Sequence, residues 1–272
     1  MTRQRVKVKS RNEPFVERTV TRIWQEQAST ENPYIAESCR CHGYDLLELM
    51  SGRSYVDVMY LLFRGELPGK NESALLEALM ISMINPGPRH PATRAAMNAG
   101  VGKTDPVHIL PIALTVMGGN HLGAGQVEVA MRFLRKQGGS DPDVLAAELL
   151  QGPMPEEGED WCLAPGFGWR FGSAEHLSSK IARRLAALPG SGAGLRWGCA
   201  FADALAAQRL GWLSAGVVAA VLVDLGFHPR DGAGIFQLLS APGLLAHGLE
   251  LANKPVTAMP YVDDEHYVIE KR

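Results

Sequence analysis

The chain has little cysteine. Cys39, Cys41, Cys162 and Cys199 are too sparse for a disulfide scaffold, which points to a reducing, cytoplasmic setting. It also lacks an excess of either charge: 27 Lys and Arg face 29 Asp and Glu, a formal net charge of -2, so there is no basic field for a nucleic acid. Long hydrophobic runs are missing as well. The two that stand out, Val107 to Gly119 and Ala215 to Phe227, fall short of the roughly 18 residues a membrane span requires and read as buried core helices, so no membrane partner is expected. The cationic start, Met1 to Ser10, has no apolar stretch behind it of the kind a signal peptide carries. No repeat period and no long low-complexity linker interrupt the chain.

What is present is helical pattern. Apolar stripes run through Leu46, Leu47, Leu49 and Met50, and again through Val58, Leu61 and Leu62, with Pro68 and Gly69 ending that hairpin. Further helices are predicted over Glu72–Ile84, Pro91–Ala99, Val107–Met117, Ala124–Lys136, Pro142–Gln151, Ala174–Leu188, Leu195–Gln208, Ala215–Leu225 and Gly232–Glu250. Strands are expected to be nearly absent, apart from one short alternation at Val16–Trp24. The fold class predicted is all-α, with 46% hydrophobic residues supplying one large core and a smaller lobe. Residues 1–33 form a polar arm, 34–152 with 212–272 a large helical domain, and 153–211 a small one. The small domain opens in an acidic, proline-bearing tract, Gly152 to Cys162, that reads as a surface loop. Fully apolar helices need cover from a second layer or a second subunit, so a homodimer is expected.

Several motifs invite chemistry. Gly100-Val-Gly-Lys-Thr104 imitates the end of a phosphate-binding loop, but Met97 stands where the first glycine belongs, and Ala92 to Ala99 favours helix over the buried strand that must precede it. Cys39-Arg-Cys41-His42 offers three metal-ligating types without a second cluster at the usual spacing, so no metal is expected. His121 sits in Gly118-Gly-Asn-His-Leu-Gly-Ala-Gly125, where flanking glycines give a ligand close access; a packing or capping histidine is the bland alternative. In Leu163-Ala-Pro-Gly-Phe-Gly-Trp-Arg-Phe171 the glycines would let a loop wrap a nucleotide-like ligand and Arg170 would hold a carboxylate or phosphate, against a structural turn anchored by Phe167 and Trp169.

Read in order, Gly43-Tyr-Asp-Leu-Leu-Glu-Leu-Met50, Tyr60-Leu-Leu-Phe-Arg-Gly-Glu-Leu-Pro68, His90-Pro91, Gly118 to Gly125, Pro165-Gly-Phe-Gly-Trp-Arg170 and Pro242-Gly-Leu-Leu-Ala-His-Gly-Leu-Glu250 resemble the citrate synthase superfamily. The length is more like citryl-CoA lyases and the lyase module of ATP-citrate lyase than full-length citrate synthases. The resemblance runs from about Tyr34 to the C-terminus. It implies large and small helical domains, a dimer, and a coenzyme A thioester as substrate or ligand, with no tightly bound cofactor. His121 matches the histidine that hydrogen-bonds the thioester carbonyl or its enol, and His90 one that contacts the keto-acid. Pro165, Gly166, Phe167 and Gly168 match backbone beside CoA.

The departures are equally informative. Trp169 stands where the family has a keto-polarising histidine, Ala215 where it has the aspartate base, and Ser240 and Ser178 where it has arginines. Making an enolate from a thioester needs a base at the α-carbon as well as a donor at the carbonyl. Glu128, seven residues after His121, is the substitute if its helix points into the cleft. The reading is therefore an enzyme that forms or cleaves a C–C bond beside a CoA thioester, with a substrate other than citrate. The alternative is a non-catalytic acyl-CoA-binding homologue, or the regulatory partner of an active paralogue in a hetero-oligomer.

Overall fold

The computed structural model describes residue 17 and residues 19–153, 160–260 and 262–270. Most of the N-terminal arm up to residue 18, and positions 154–159 of the acidic tract, lie outside the described residues. By its contacts the chain divides into two compact units, Met1–Glu66 and Leu67–Arg272. The lobe expected at 153–211 lies within the second of these.

The first unit carries a sheet that the helical reading did not anticipate. Strands β1 (Trp24–Ala28), β2 (Ala36–Cys41) and β3 (Tyr44–Asp45) pair antiparallel in that order. Of the strand expected at Val16–Trp24, only Trp24 is in a strand. His42 and Gly43, at φ 48° and 91°, make the two-residue turn joining β2 to β3, the conformation such hairpins require. His42 Nε2 lies 3.3 Å from the Leu62 carbonyl oxygen. Asp45 then caps α1 (Leu46–Gly52), accepting from the Leu47 and Glu48 amides, and Ser54 with Asp57 forms a reciprocal cap on α2 (Tyr55–Arg64).

The second unit is helical. In it follow α3 (Lys70–Met83), α4 (Pro91–Val101), α5 (Pro106–Met117), α6 (Gly125–Gln137), α7 (Pro142–Leu149), α8 (His176–Ala186), α9 (Ala193–Leu205), α10 (Ser214–Asp224) and α11 (Pro229–Ala252). Each begins and ends close to where periodicity and breakers place it. The exception to all-helix is a second small sheet, β4 (Trp161–Ala164), β5 (Phe167–Trp169) and β6 (Gly211–Trp212), in antiparallel order. Strands are few among the described residues, as expected, and their positions left no period in the sequence because each runs only two to six residues.

Helix α11 is long and apolar enough to cross a membrane by length and composition alone. Its packing makes it a core helix: it lies against α4, α5 and α6, and Ile235, Phe236, Leu239, Leu244 and Leu251 are buried. Helix α10 is buried from Ala215 through Leu222, so its cover comes from within the chain.

Two close approaches depend on glycine. A Cβ on Gly100 would collide with the Gly248 carbonyl, and one on Gly248 with Ile109, so α4 and α11 cross backbone to backbone. This crossing is the role of the glycine that opens the loop-like Gly100–Thr104 motif. Near Pro242, inside α11, the Gly243 amide donates to the Ile84 carbonyl at 2.9 Å, and a Cβ on Gly243 would come within 2.6 Å of the Asn85 Cα. The end of α3 is thereby held against α11, where it forms part of the cleft described below.

Candidate active site

Helix α9 starts on a carboxylate. Asp224, at the end of α10, accepts from the backbone amides of Gly192, Gly194 and Leu195 at 2.6–3.0 Å, satisfying first-turn donors that would otherwise be unpaired. That fixes α9 relative to α10. An aromatic cluster then fixes β5: Phe167 packs 4.8 Å edge-on to Phe201 and 4.4 Å from Trp212, between ring centroids. The turn before it is equally constrained. Gly166, at φ 87°, approaches Gly216 so closely that a Cβ would lie 2.6 Å from its Cα, and the Leu213 amide donates to the Gly166 carbonyl at 2.9 Å. Gly166, Phe167 and Gly168 are buried and Pro165 is partly so. Their place is in the packing of a hairpin onto the start of α10. Of the run, Trp169 and Arg170 reach the cleft.

Two cavities meet there. One, of about 350 Å³, is lined by Met83, His90, Arg170, Glu175, Ser178 and Ser240 among others; a smaller one of about 80 Å³ is lined by His121, Asp160, Trp169, Arg170, Glu175 and Ser214 among others. Arg170, Glu175 and Ser214 belong to both. The Arg170 side chain, 23% exposed, is spanned by two carboxylates: its Nη1 donates to Glu175 Oε1 at 3.2 Å and its Nε lies 3.6 Å from Asp160 Oδ2. Glu175 is held by two further donors, Ser178 Oγ at 2.6 Å and the Ser214 amide at 3.1 Å. Asp160 accepts from the Phe171 amide at 2.9 Å and faces His121 Nε2 at 3.7 Å.

His90 and His121 are tied together through the glycine-rich turn. At the start of α4, His90 Nδ1 accepts from the Ala92 amide at 3.1 Å, so Nε2 carries the proton and donates to the Leu122 carbonyl at 2.9 Å. Burial, followed by smaller influences that include Arg170, pushes the His90 pKa below its ordinary value and favours this neutral form. Leu122 has φ 56°, and the Ala124 amide closes the turn on the Met117 carbonyl at 2.7 Å. His121 projects from that turn with its side chain 71% exposed.

Other expected residues fall elsewhere. Glu128 is bound by Arg132 one turn on, through Nε at 3.0 Å and Nη2 at 2.5 Å, and lines neither cavity. The face argument fails because His121 precedes the helix, which starts at Gly125, so helical spacing does not connect the two residues. Ala215 is buried, whereas its neighbour Ser214 lines the cleft. Ser240 is buried and donates to the Met83 carbonyl at 3.4 Å. Asp160 and Glu175 were not singled out from sequence. The signal available was a carboxylate immediately before each of two aromatic or helical starts, Trp161 and His176. No group of three or more His, Cys, Asp or Glu able to hold a metal occurs among the described residues.

No protein-family model matches the sequence, and neither does any curated protein. Solved structures do. Citryl-CoA lyase from Hydrogenobacter thermophilus superposes with a TM-score of 0.73 at 26% identity, covering 93% of this chain and 94% of that one. The chain has the citrate synthase-superfamily fold. ATP citrate lyase from Methanothrix soehngenii, in complex with citrate and coenzyme A, matches at TM-score 0.68 and 16% identity over 95% of this chain and 44% of that one. Citrate synthase from Thermotoga maritima matches at 0.59 and 17% over 80% and 59%. Within the superfamily fold, then, this chain has the length of the lyase and spans less than half of the ATP-dependent enzyme.

Proposed function

We propose that the protein makes or breaks a C–C bond beside a CoA thioester, with a co-substrate that carries little or no negative charge. The observation that carries this is the state of Arg170. It is the only Lys or Arg lining either cleft cavity among the described residues, and Asp160 and Glu175 already span it. Histidines apart, the lining holds one positive charge against two negative ones. A di- or tricarboxylate would meet net repulsion there, while a neutral aldehyde or ketone would not. Met83, Pro86, Ile181 and Phe236 give the larger cavity apolar walls suited to such a molecule.

In this reading His121 donates to the thioester carbonyl oxygen, as the superfamily resemblance suggests. Glu175, which lines both cavities, takes the α-proton in place of the missing aspartate and of Glu128. Three donors hold its carboxylate in one orientation, as a positioned base requires. The enolate carbon then bonds to the carbonyl carbon of the co-substrate, whose oxygen takes up a proton; cleavage is the reverse. His90 acts as a positioning residue: its Nε2 holds the turn that presents His121 through the Leu122 carbonyl, while its Nδ1 caps α4 at the Ala92 amide. The exposed apolar residues Val107, Ile112 and Val116 on α5 support the homodimer that belongs to the same proposal.

The test needs no knowledge of the co-substrate. Acetyl-CoA and propionyl-CoA are incubated with the protein in deuterated buffer and α-proton exchange is followed by mass spectrometry. Wild type is expected to exchange, Glu175→Gln to lose roughly 10²–10⁴-fold, and Asp160→Asn to keep most of the rate. Tight acyl-CoA binding without exchange would favour the non-catalytic homologue. No binding of any thioester would remove the proposal altogether.

A further inference from the structure

The larger cleft cavity is rich in polar residues by composition and poor in free donors by geometry. Ser82 Oγ donates to the Leu79 carbonyl at 2.8 Å, Ser178 Oγ to Glu175 at 2.6 Å and Ser240 Oγ to the Met83 carbonyl at 3.4 Å. Asn85 is held at both ends, its Oδ1 accepting from the Gly87 amide at 2.8 Å and its Nδ2 lying 3.1 Å from His247 Nε2. His90 has both ring nitrogens engaged. A hydroxyl whose proton is already given to a protein oxygen offers a ligand only lone pairs. A carboxylate entering here brings acceptors to acceptors, whereas a hydrocarbon group displaces water and leaves these bonds intact.

The charged residues of this cavity, Arg170 and Glu175, also line the smaller one and so sit at the seam between the two. Away from the seam, and apart from the exposed His176, the rest of the lining is apolar. Met83 and Phe236 are buried, Ile181 is half-buried, and Leu177 gives the wall an exposed apolar edge. Ser214 differs from the other serines. It lines both cavities, and its hydroxyl has no hydrogen-bond partner among the described residues, while its amide holds Glu175. The two spaces also differ in size. A cavity of about 150 Å³ takes one benzene ring, so about 350 Å³ takes on the order of ten to fourteen non-hydrogen atoms and about 80 Å³ only about three, enough for an acetyl group.

Resting on the acyl-CoA reading, we propose that the co-substrate is an aldehyde or ketone with an apolar body of about ten non-hydrogen atoms. The body fills the larger cavity, the acetyl group of the thioester occupies the smaller, and Ser214 Oγ donates to the co-substrate's carbonyl oxygen at the seam. Glu175 takes one proton from the acetyl methyl group, and the electron pair left behind forms the C–C bond to the carbonyl carbon. The carbonyl π pair moves to the oxygen, which takes up one proton. The product is a β-hydroxyacyl-CoA with no group lost, and cleavage runs the same steps backwards.

An alkyl and an aryl body share this chemistry, and calorimetric titration of the full chain separates them. The probes are butanone, methyl butyl ketone, methyl octyl ketone, benzylacetone and oxaloacetate. Along the alkyl series affinity is expected to rise about threefold per methylene. Benzylacetone has as many non-hydrogen atoms as methyl octyl ketone, so the tighter of the two assigns the body as aryl or alkyl. Ile181→Lys, which puts a charge on the apolar wall, should weaken the preferred ketone about tenfold or more. Ser214→Ala, which keeps the amide to Glu175, should weaken it about three- to tenfold. Thermal denaturation without ligand verifies that each variant is folded. The inference is overturned if affinity does not rise with chain length, if oxaloacetate binds more tightly than methyl octyl ketone, or if both variants bind as wild type does. Deuterium exchange into acetyl-CoA with no ketone present reports on the acyl-CoA reading alone. Exchange without ketone preference overturns this inference and spares that reading; ketone preference without exchange supports the cavity assignment and counts against the reading.

Discussion

The crossing of α4 with α11 and the cleft around Arg170 are built on opposite principles. At the crossing, Gly100 and Gly248 leave no room for a methyl group, and the only chemistry is shape. In the cleft a guanidinium, two carboxylates, three histidines and four serines line open space, and the contacts are electrostatic and adjustable. Shape tolerates few substitutions before helices must separate, whereas a charge network keeps its fold when members are exchanged, provided charge stays balanced. The helix crossing therefore does not depend on which residues occupy the cleft.

Gly248→Leu should have the largest effect. The new side chain would start inside Ile109 and 3.0 Å from the Ala96 carbonyl, so the helices must move apart at about 3 kcal/mol or more. Gly234→Ala, in the same helix with nothing within 4 Å, should be neutral or slightly stabilising. Urea denaturation of the two variants checks the contrast. Equal stability would mean that the crossing is not close-packed.

What was legible in the sequence follows the same division. The helices could be read because Pro91, Pro106, Pro142 and Pro229 stand at or beside their first residues and apolar stripes run for three turns or more. His121, Trp169 and Arg170 could be found because glycines flag their turns. Asp160 and Glu175 could not. One lies in a tract whose acidity reads as solvated surface, and the other looks like an ordinary helix-start carboxylate. Their importance comes from Arg170 lying between them, which is tertiary and leaves no local signal. Glu128 illustrates the converse error, since a seven-residue spacing means a shared face only when both residues are on one helix.

Arg170→Met tests the charge balance. It leaves Asp160 and Glu175 facing each other's field without a counter-ion, in side chains less than one-fifth exposed. The expected loss is on the order of 2 kcal/mol, below the range for fully buried pairs because water still reaches the cleft. Adding Glu175→Gln to Arg170→Met should recover part of it. A double variant less stable than the single one would show that Glu175 is stabilised mainly by Ser178 and the Ser214 amide.

His90 gives the smallest effect and the most specific one, because it joins the cleft to the scaffold by two hydrogen bonds, one of which, accepted by Nδ1, requires its neutral form. Burial lowers its pKa in the folded chain from an unfolded value near 6.5. The folded state therefore binds fewer protons at this site than the unfolded state does, so the stabilisation is fully present above about pH 6.5 and is lost as pH falls through the folded value. Protonating Nδ1 removes the acceptor that caps α4 at the Ala92 amide, which gives the loss its structural form. His90→Asn keeps a side-chain acceptor suited to that position and removes the titration, while giving up the bond to the Leu122 carbonyl. At pH 7.5 the variant should be less stable than wild type by about 1 kcal/mol, and the difference should narrow as pH is lowered to 5. Urea midpoints for both proteins at the two pH values measure this directly. A constant gap would mean that His90 takes no part in the acid response, and that the turn carrying His121 is held independently of the charge on the histidine beneath it.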